Sequence, residues 1–333
     1  MMKNTNNRTK KKSVNALMKY MRDNKGISIQ GSTQKTQLLN IGYYHGYKGY
    51  KYIGNPSKQI AYTNFDEILA IYSFDMNIKS ILYPHLMHIE TAFKSRALET
   101  CINLCSENFS EVYECLLDDY KKYTPKDKEY KKTLKLRLDL RNTLYSTISD
   151  RYQSGLRMIE HYHHKDKPVP LWAIFEIITL GQFGMFLKTM NKDARIQYSK
   201  DMNIHYTSID NSSRLPEDII FLLKDLRNAV AHNSAIFDCR FMTNNPSRRF
   251  KNFMEIESGI NYSKNVQFGT ITDYMILTAL ILKKLKFHKS EITKVLRQFQ
   301  IEVEKLRKAV PVDVFNSILG TDTKSKLIKA MQQ

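Results

Sequence analysis

The sequence predicts an all-α protein built as a helical bundle, and three observations predict it. From Asn64 onward, apolar residues at 68, 69, 71, 72, 74, 78, 81, 82, 86, 89 and 93 keep a helical period for about ten turns. Only 12 Gly and 8 Pro interrupt the 333 residues, too few for an all-β chain with its frequent turns. The 42% apolar content, with 20 Tyr and 16 Phe, can bury a core and argues against disorder.

In chain order, residues 1–13 (MMKNTNNRTKKKS) read as a basic tail, and VNALMKYMRDNK as a short helix closed by Gly26. The Gly- and Tyr-rich stretch 33–54 suggests a helix running into a turn or short hairpin. Asn64 and Glu67 form a capping box for the long periodic segment, which Pro84 should kink or split. Residues 106–165, centred on KKYTPKDKEYKKTLKLRLDLRNTL, read as a basic helical insertion with a surface that seeks phosphate or is simply solvated. LWAIFEIITLGQFGMFL (171–187) reads as one buried core helix, too short and too acidic at Glu176 to cross a membrane. The helix EDIIFLLKDLRNAVAH follows. Residues 240–266 read as irregular with Arg248 and Arg249 exposed, then come helices over 272–287 and 290–310 and a short amphipathic tail helix. The expected organisation is therefore an extension over 1–63, a central helical domain over 64–290 carrying the basic insertion, and C-terminal helices over 291–333.

A net charge of +19 says little about fold but favours polyanionic partners, nucleic acid before membrane. No hydrophobic segment follows the cationic N-terminus, and Cys101, Cys105, Cys115 and Cys239 lack the spacing of a disulfide framework, so a cytoplasmic location is expected. Cys101 and Cys105 lie one helical turn apart but read as small buried hydrophobes.

The segment that bears chemistry is LRNAVAHN (226–233). Arg227 and His232 end an apolar helix, five positions and about 140° apart, so they do not lie side by side on a regular helix. Either the helix ends inside the motif, or the long Arg reaches around, or a second chain completes the site across a two-fold axis. The structural alternative is a capping His at a helix C-terminus with Arg227 paired to Asp225 or Glu217. With 15 Arg and 9 His in the chain, such a spacing arises readily by chance.

LRNAVAHN resembles the catalytic motif of HEPN-domain ribonucleases: an Arg, a polar residue filled here by Asn228, and a His a few positions on. Three further segments, 38–50, 64–96 and 170–186, resemble in the same order the Abi family of bacterial abortive infection proteins, the AbiD/AbiF-like group. At 45–47, where relatives commonly carry Arg-Leu-Ser, this chain has His45-Gly46-Tyr47, so the resemblance assigns no role there. It implies an all-α HEPN bundle that dimerises to form its active site, metal-independent endoribonuclease activity in anti-phage defence, and a possible regulatory RNA as partner.

The chemistry suits the pair. An imidazole can take the 2′-OH proton of RNA or protonate the leaving 5′-oxygen, and an Arg can hold the phosphate through two parallel hydrogen bonds. No cofactor or metal is called for. Asn228 could orient His232 or the phosphate, and Glu176 could orient Arg227 or His232 or form a structural ion pair. Candidate RNA contacts are Tyr47, Tyr50, Lys48 and Lys51 in the aromatic stretch, whose rings could instead pack on the bundle, and Lys131, Lys132, Lys135 and Arg137 in the insertion. His161, His163, His164 and Asp166 read as a basic loop rather than a metal cluster. The competing functions are a non-catalytic RNA-binding sensor, an RNA-regulated toxin component, and a partner of a nucleotide transferase.

Overall fold

A 40-residue helix is the spine of the molecule. The computed structural model describes residues 13–243, 245–262 and 266–332, and all of the basic tail except Ser13 lies outside them. Two helices open the chain: α1 (Val14–Lys25), capped by Ser13 and closed by Gly26 at φ 66°, and α2 (Gly31–Ile41). A π-helix (Gly42–Tyr47) and a 3-10 turn (Lys48–Tyr50) continue α2, and a bridge pairs Tyr52 with Gln59. Then comes the spine, α3 (Phe65–Leu104), capped by the Asn64 side chain on the Glu67 amide.

Pro84 neither splits nor ends α3. Its missing N–H frees the Ser80 carbonyl, and both residues sit on the exposed face, where water can replace the lost bond.

The basic insertion is not a free appendage. It forms α4 (Phe109–Cys115), a 3-10 turn (Asp119–Lys122), α5 (Lys128–Gln153) and α6 (Arg157–His163). Leu140, Leu144 and Ile148 of α5 are buried, at helical spacing, against the helices that follow. Those are α7 (Leu171–Ile177) and α8 (Leu180–Thr189), which correct the single core helix expected over 171–187. The chain turns extended at Ile178 because Thr179 and Gln182 form a capping box that starts a new helix, and Lys94 donates to the Ile178 carbonyl at 2.8 Å.

Next are α9 (Lys192–Asp201) and α10 (Leu215–Ala231). The region expected to be irregular contains α11 (Arg248–Ser258), capped by Ser247. Arg248 is exposed as expected, but Arg249 is half-buried on Asp218 at 2.5 Å. The chain closes with α12 (Ile271–Lys284), α13 (Lys289–Ala309), α14 (Val312–Leu319) and α15 (Thr323–Gln332), two tail helices rather than one. Helices α7, α9, α10, α12 and α13 all pack along α3, and one hydrophobic core runs from Met18 to Leu327. The fold is all-α; among the described residues there are only isolated bridges and no strands.

A buried ionic knot fastens the insertion to this body. Asp119, 4% exposed, accepts from Lys122 (2.9 Å), Arg195 (2.9 Å) and Arg214 (2.8 Å), and Arg214 also reaches Glu217 at 2.6 Å. Burial alone would push its carboxyl up, but the three cations outweigh that and hold it below the ordinary value of 3.8. Its contribution is therefore complete above that value and is lost as pH falls through the lowered folded value. Asp119→Asn leaves Arg195 buried without its counter-ion and should cost about 3–5 kcal/mol at neutral pH. Denaturant unfolding checks this: the gap from wild type should shrink in strong acid, and a gap independent of pH would contradict it.

Candidate functional site

The helix carrying the motif is anchored by its apolar face. Leu215, Ile219, Ile220, Leu223 and Leu226 of α10 are at most 1% exposed. Gly184 of α8 lets the two helices approach closely, since a Cβ there would lie 3.0 Å from the Phe221 ring. The helix ends inside the motif. His232 is the C-cap, and Asn233 takes the left-handed conformation at φ 53°. The Asn233 amide donates to the Val230 carbonyl and the Ser234 amide to the Ala229 carbonyl, a Schellman closure.

What holds this end in place lies on α3. Asp75 is fully buried. One of its carboxylate oxygens accepts from the Ile236 and Phe237 amides, both at 2.7 Å, just after the turn. The other accepts from the Tyr50 hydroxyl at 2.7 Å and pairs with Lys79 at 2.6 Å. Lys79 also donates to Asn233 Oδ1 at 3.0 Å, fixing the left-handed residue next to His232. Burial first, and then the Asp75 charge, push the Tyr50 phenol far up, so it remains a donor.

Arg227 and His232 line two separate pockets. Arg227 lines a groove of about 250 Å³ with Glu90, Lys94, Trp172 and Glu176. Its Nε donates to Glu90 Oε2 at 2.9 Å, and Nη1 donates to Asn228 Oδ1 at 3.3 Å. Glu90 is held in turn by Lys94 at 2.9 Å. The Arg partner is thus Glu90, not Asp225 or Glu217, which pair with Lys224 and Arg214. Asn228 orients Arg227; its link to His232 is the helical bond from the His232 amide to its carbonyl.

His232 is exposed and lines a separate recess of about 390 Å³ with Tyr44, His45, Lys48, Tyr52, Tyr72 and Arg240. None of the described lining residues is Asp or Glu, so the recess is positive; Asp238 lies behind Arg240, paired to it at 2.7 Å. Arg240 Nη2 also donates to the Tyr52 carbonyl, and the Gly54 amide donates to Asp238, which ties the N-terminal extension to the wall.

Several expected residues sit elsewhere. Tyr47, 2% exposed, is committed to the core; Tyr50 does line the recess, but at 3% exposed it is packed into the core and has no open ring face for a base. Arg137 is buried, with its guanidinium 3.7 Å from the Tyr113 ring centre and hydrogen-bonded to the Tyr113 carbonyl, which removes it as an RNA contact. Lys131, Lys132 and Lys135 are exposed on α5, the last two paired with Glu129 and Asp139. Lys51 is half-buried and is not among the recess-lining residues. Glu176 is exposed: it shares the groove with Arg227 but is not the carboxylate that binds it. His163 and His164 pack edge-on to Tyr152, and no metal-ligating group of His, Cys, Asp and Glu occurs among the described residues. Burial pushes the Cys101 thiol up to about 12, as expected for an inert hydrophobe. No helix among the described residues is long and apolar enough to cross a membrane.

Sequence reasoning missed Asp75, His45 and Arg240. Asp75 left one signal, a carboxylate on the apolar face between Phe74 and Ile78; the other two left none in their spacing.

The fold and this helix end define an all-α protein with a polar site at the C-terminus of an apolar helix. The family described as Abi-like protein matches residues 36–238, from within α2 to Asp238, and the chain belongs to that family. No curated protein and no solved structure matches.

Asp75→Ala strips the counter-ion from buried Lys79 and leaves two amides without an acceptor, which should cost about 3–5 kcal/mol. Hydrogen exchange at the Ile236 and Phe237 amides should accelerate beyond what the global loss produces. Unchanged exchange there would show that the turn does not depend on Asp75.

Proposed function

We propose that the protein is a metal-independent endoribonuclease acting in abortive infection, of the HEPN type, with Arg227 and His232 contributed across a homodimer. The observation that carries this reading is the divided placement of the pair. His232 lines a recess with no lining carboxylate among the described residues, while Arg227 is held by Glu90 in a separate groove. A two-fold axis passing the end of α10 would bring the Arg227 of one protomer to the His232 of its partner. The groove side offers partly exposed apolar area for such a contact: Met87, Leu98 and Trp172 line it, and Tyr83, 50% exposed, continues the same face of α3 one turn away.

In this reading the 2′-oxygen attacks the adjacent phosphorus, its proton passes to an acceptor, and the 5′-oxygen leaves with a proton. One product ends in a 2′,3′-cyclic phosphate and the other in a 5′-hydroxyl. His232 performs one of the two proton transfers. Arg227, a permanent cation, offsets the charge gathering on the phosphoryl oxygens. DNA, lacking the 2′-hydroxyl, is spared. A non-catalytic RNA-binding protein is the competing reading; it draws on the same acid-free recess and predicts binding without cleavage.

His232→Ala and Arg227→Ala should each slow RNA cleavage by about 10²–10⁴-fold, His232→Ala without lowering stability and Arg227→Ala with Glu90 still paired to Lys94, and chelators should not inhibit the wild type. Mixing the two inactive variants should restore part of the activity, because each mixed dimer regains one composite site. Wild-type cleavage by either variant would end the catalytic assignment; failure of the mixture to recover would end the sharing between chains.

A further inference from the structure

We propose that the recess beside His232 is a subsite for one nucleotide of single-stranded RNA, with a base stacked on Tyr44 and a phosphate held by Lys48, His45 and Arg240. The inference rests on the endoribonuclease reading and names where its substrate lies.

Four features carry it. The volume, about 390 Å³, lies within the range of about 300–1,000 Å³ typical of small-ligand sites. Its lining is one-sided: Lys48, Arg240 and two imidazoles with no lining carboxylate, Asp238 pairing with Arg240 from outside the lining, against two carboxylates in the Arg227 groove. Tyr44 is 70% exposed, set edge-on to His45 with ring centres 5.3 Å apart, so its ring adds little to the core and offers a face to a base. Arg240 is pre-organised, its guanidinium 4.1 Å from the Tyr52 ring centre and its Nε on Asp238, so little rotamer freedom remains to be lost on binding.

The segment presenting Tyr44 and His45 is itself unusual. It is a π-helix, rare and frequently found at functional sites. Gly46 makes it possible, because a Cβ there would lie 2.2 Å from Ile41 Cγ1. Tyr47 and Tyr50 bury the inner side of this segment, which leaves Tyr44, His45 and Lys48 on the outer one.

The test is fluorescence anisotropy with a short single-stranded RNA made wholly of 2′-O-methyl nucleotides, which the proposed chemistry cannot cut. Tyr44→Ala should weaken binding by about 5- to 100-fold, and Tyr44→Phe should restore it. Lys48→Ala should reduce the slope of log Kd against log salt by about 0.7. Lys308→Ala, the same charge change on the exposed face of α13, should leave both quantities as in the wild type. An equal effect of Lys308→Ala and Lys48→Ala, or no effect of Tyr44→Ala, would overturn the subsite. Cleavage of unmodified RNA is scored separately. Binding through the recess without cleavage would retire the nuclease reading alone, and His232-dependent cleavage with binding indifferent to Tyr44 and Lys48 would retire the subsite alone.

Discussion

Everything at the proposed site depends on one buried carboxylate. Asp75 gathers four donors from three parts of the chain: Lys79 on its own helix, Tyr50 from the N-terminal extension, and the Ile236 and Phe237 amides beyond α10. A buried ion pair is weak evidence of stability, since desolvating both groups offsets much of their attraction. Its value here is geometric. The two amides leave the last helical turn with no carbonyl of their own to bond, and an apolar residue at 75 would strand them. Through Lys79 and Asn233 the same carboxylate fixes the left-handed turn, and with it the direction in which His232 leaves the helix.

The C-terminus of α10 consequently works as a divider. A carboxylate-rich groove holds Arg227 by Glu90, and a separate recess with no lining carboxylate among the described residues contains His232. Each pocket holds a guanidinium oriented and partly neutralised by a carboxylate, Arg227 by Glu90 and Arg240 by Asp238, and the recess adds Lys48, which has no acidic partner among the described residues. In the proposed reading, this asymmetry is what a second copy of the chain would complete.

The net charge of +19 is unevenly used. Arg137, Arg195, Arg214, Arg240 and Arg249 are tied to carboxylates or stacked on rings and hold helices together. The planar, multiply donating guanidinium suits that work. Much of the outward-facing charge is lysine, including Lys48, Lys131, Lys132 and Lys135. A count of basic residues therefore overstates the charge that the surface offers to a polyanion.

The sequence alone determined the helical class, the caps at Gly26 and Asn64, the family, and α10 with its motif, because each follows from local periodicity or a contiguous string of residues. It misjudged the break at Ile178 and α11, where a capping box and a lysine reaching from α3 decide the first, and of its two alternatives at Pro84 the split does not occur. It left Tyr47 and Tyr50 open between RNA contact and packing on the bundle, and placed Arg137 at the surface; packing against distant helices put all three inside. The recess could not be read at all. His45 and His232 are 187 positions apart, and only the convergence of Asp75's donors, a long-range electrostatic demand with no local signature, sets them on the same wall.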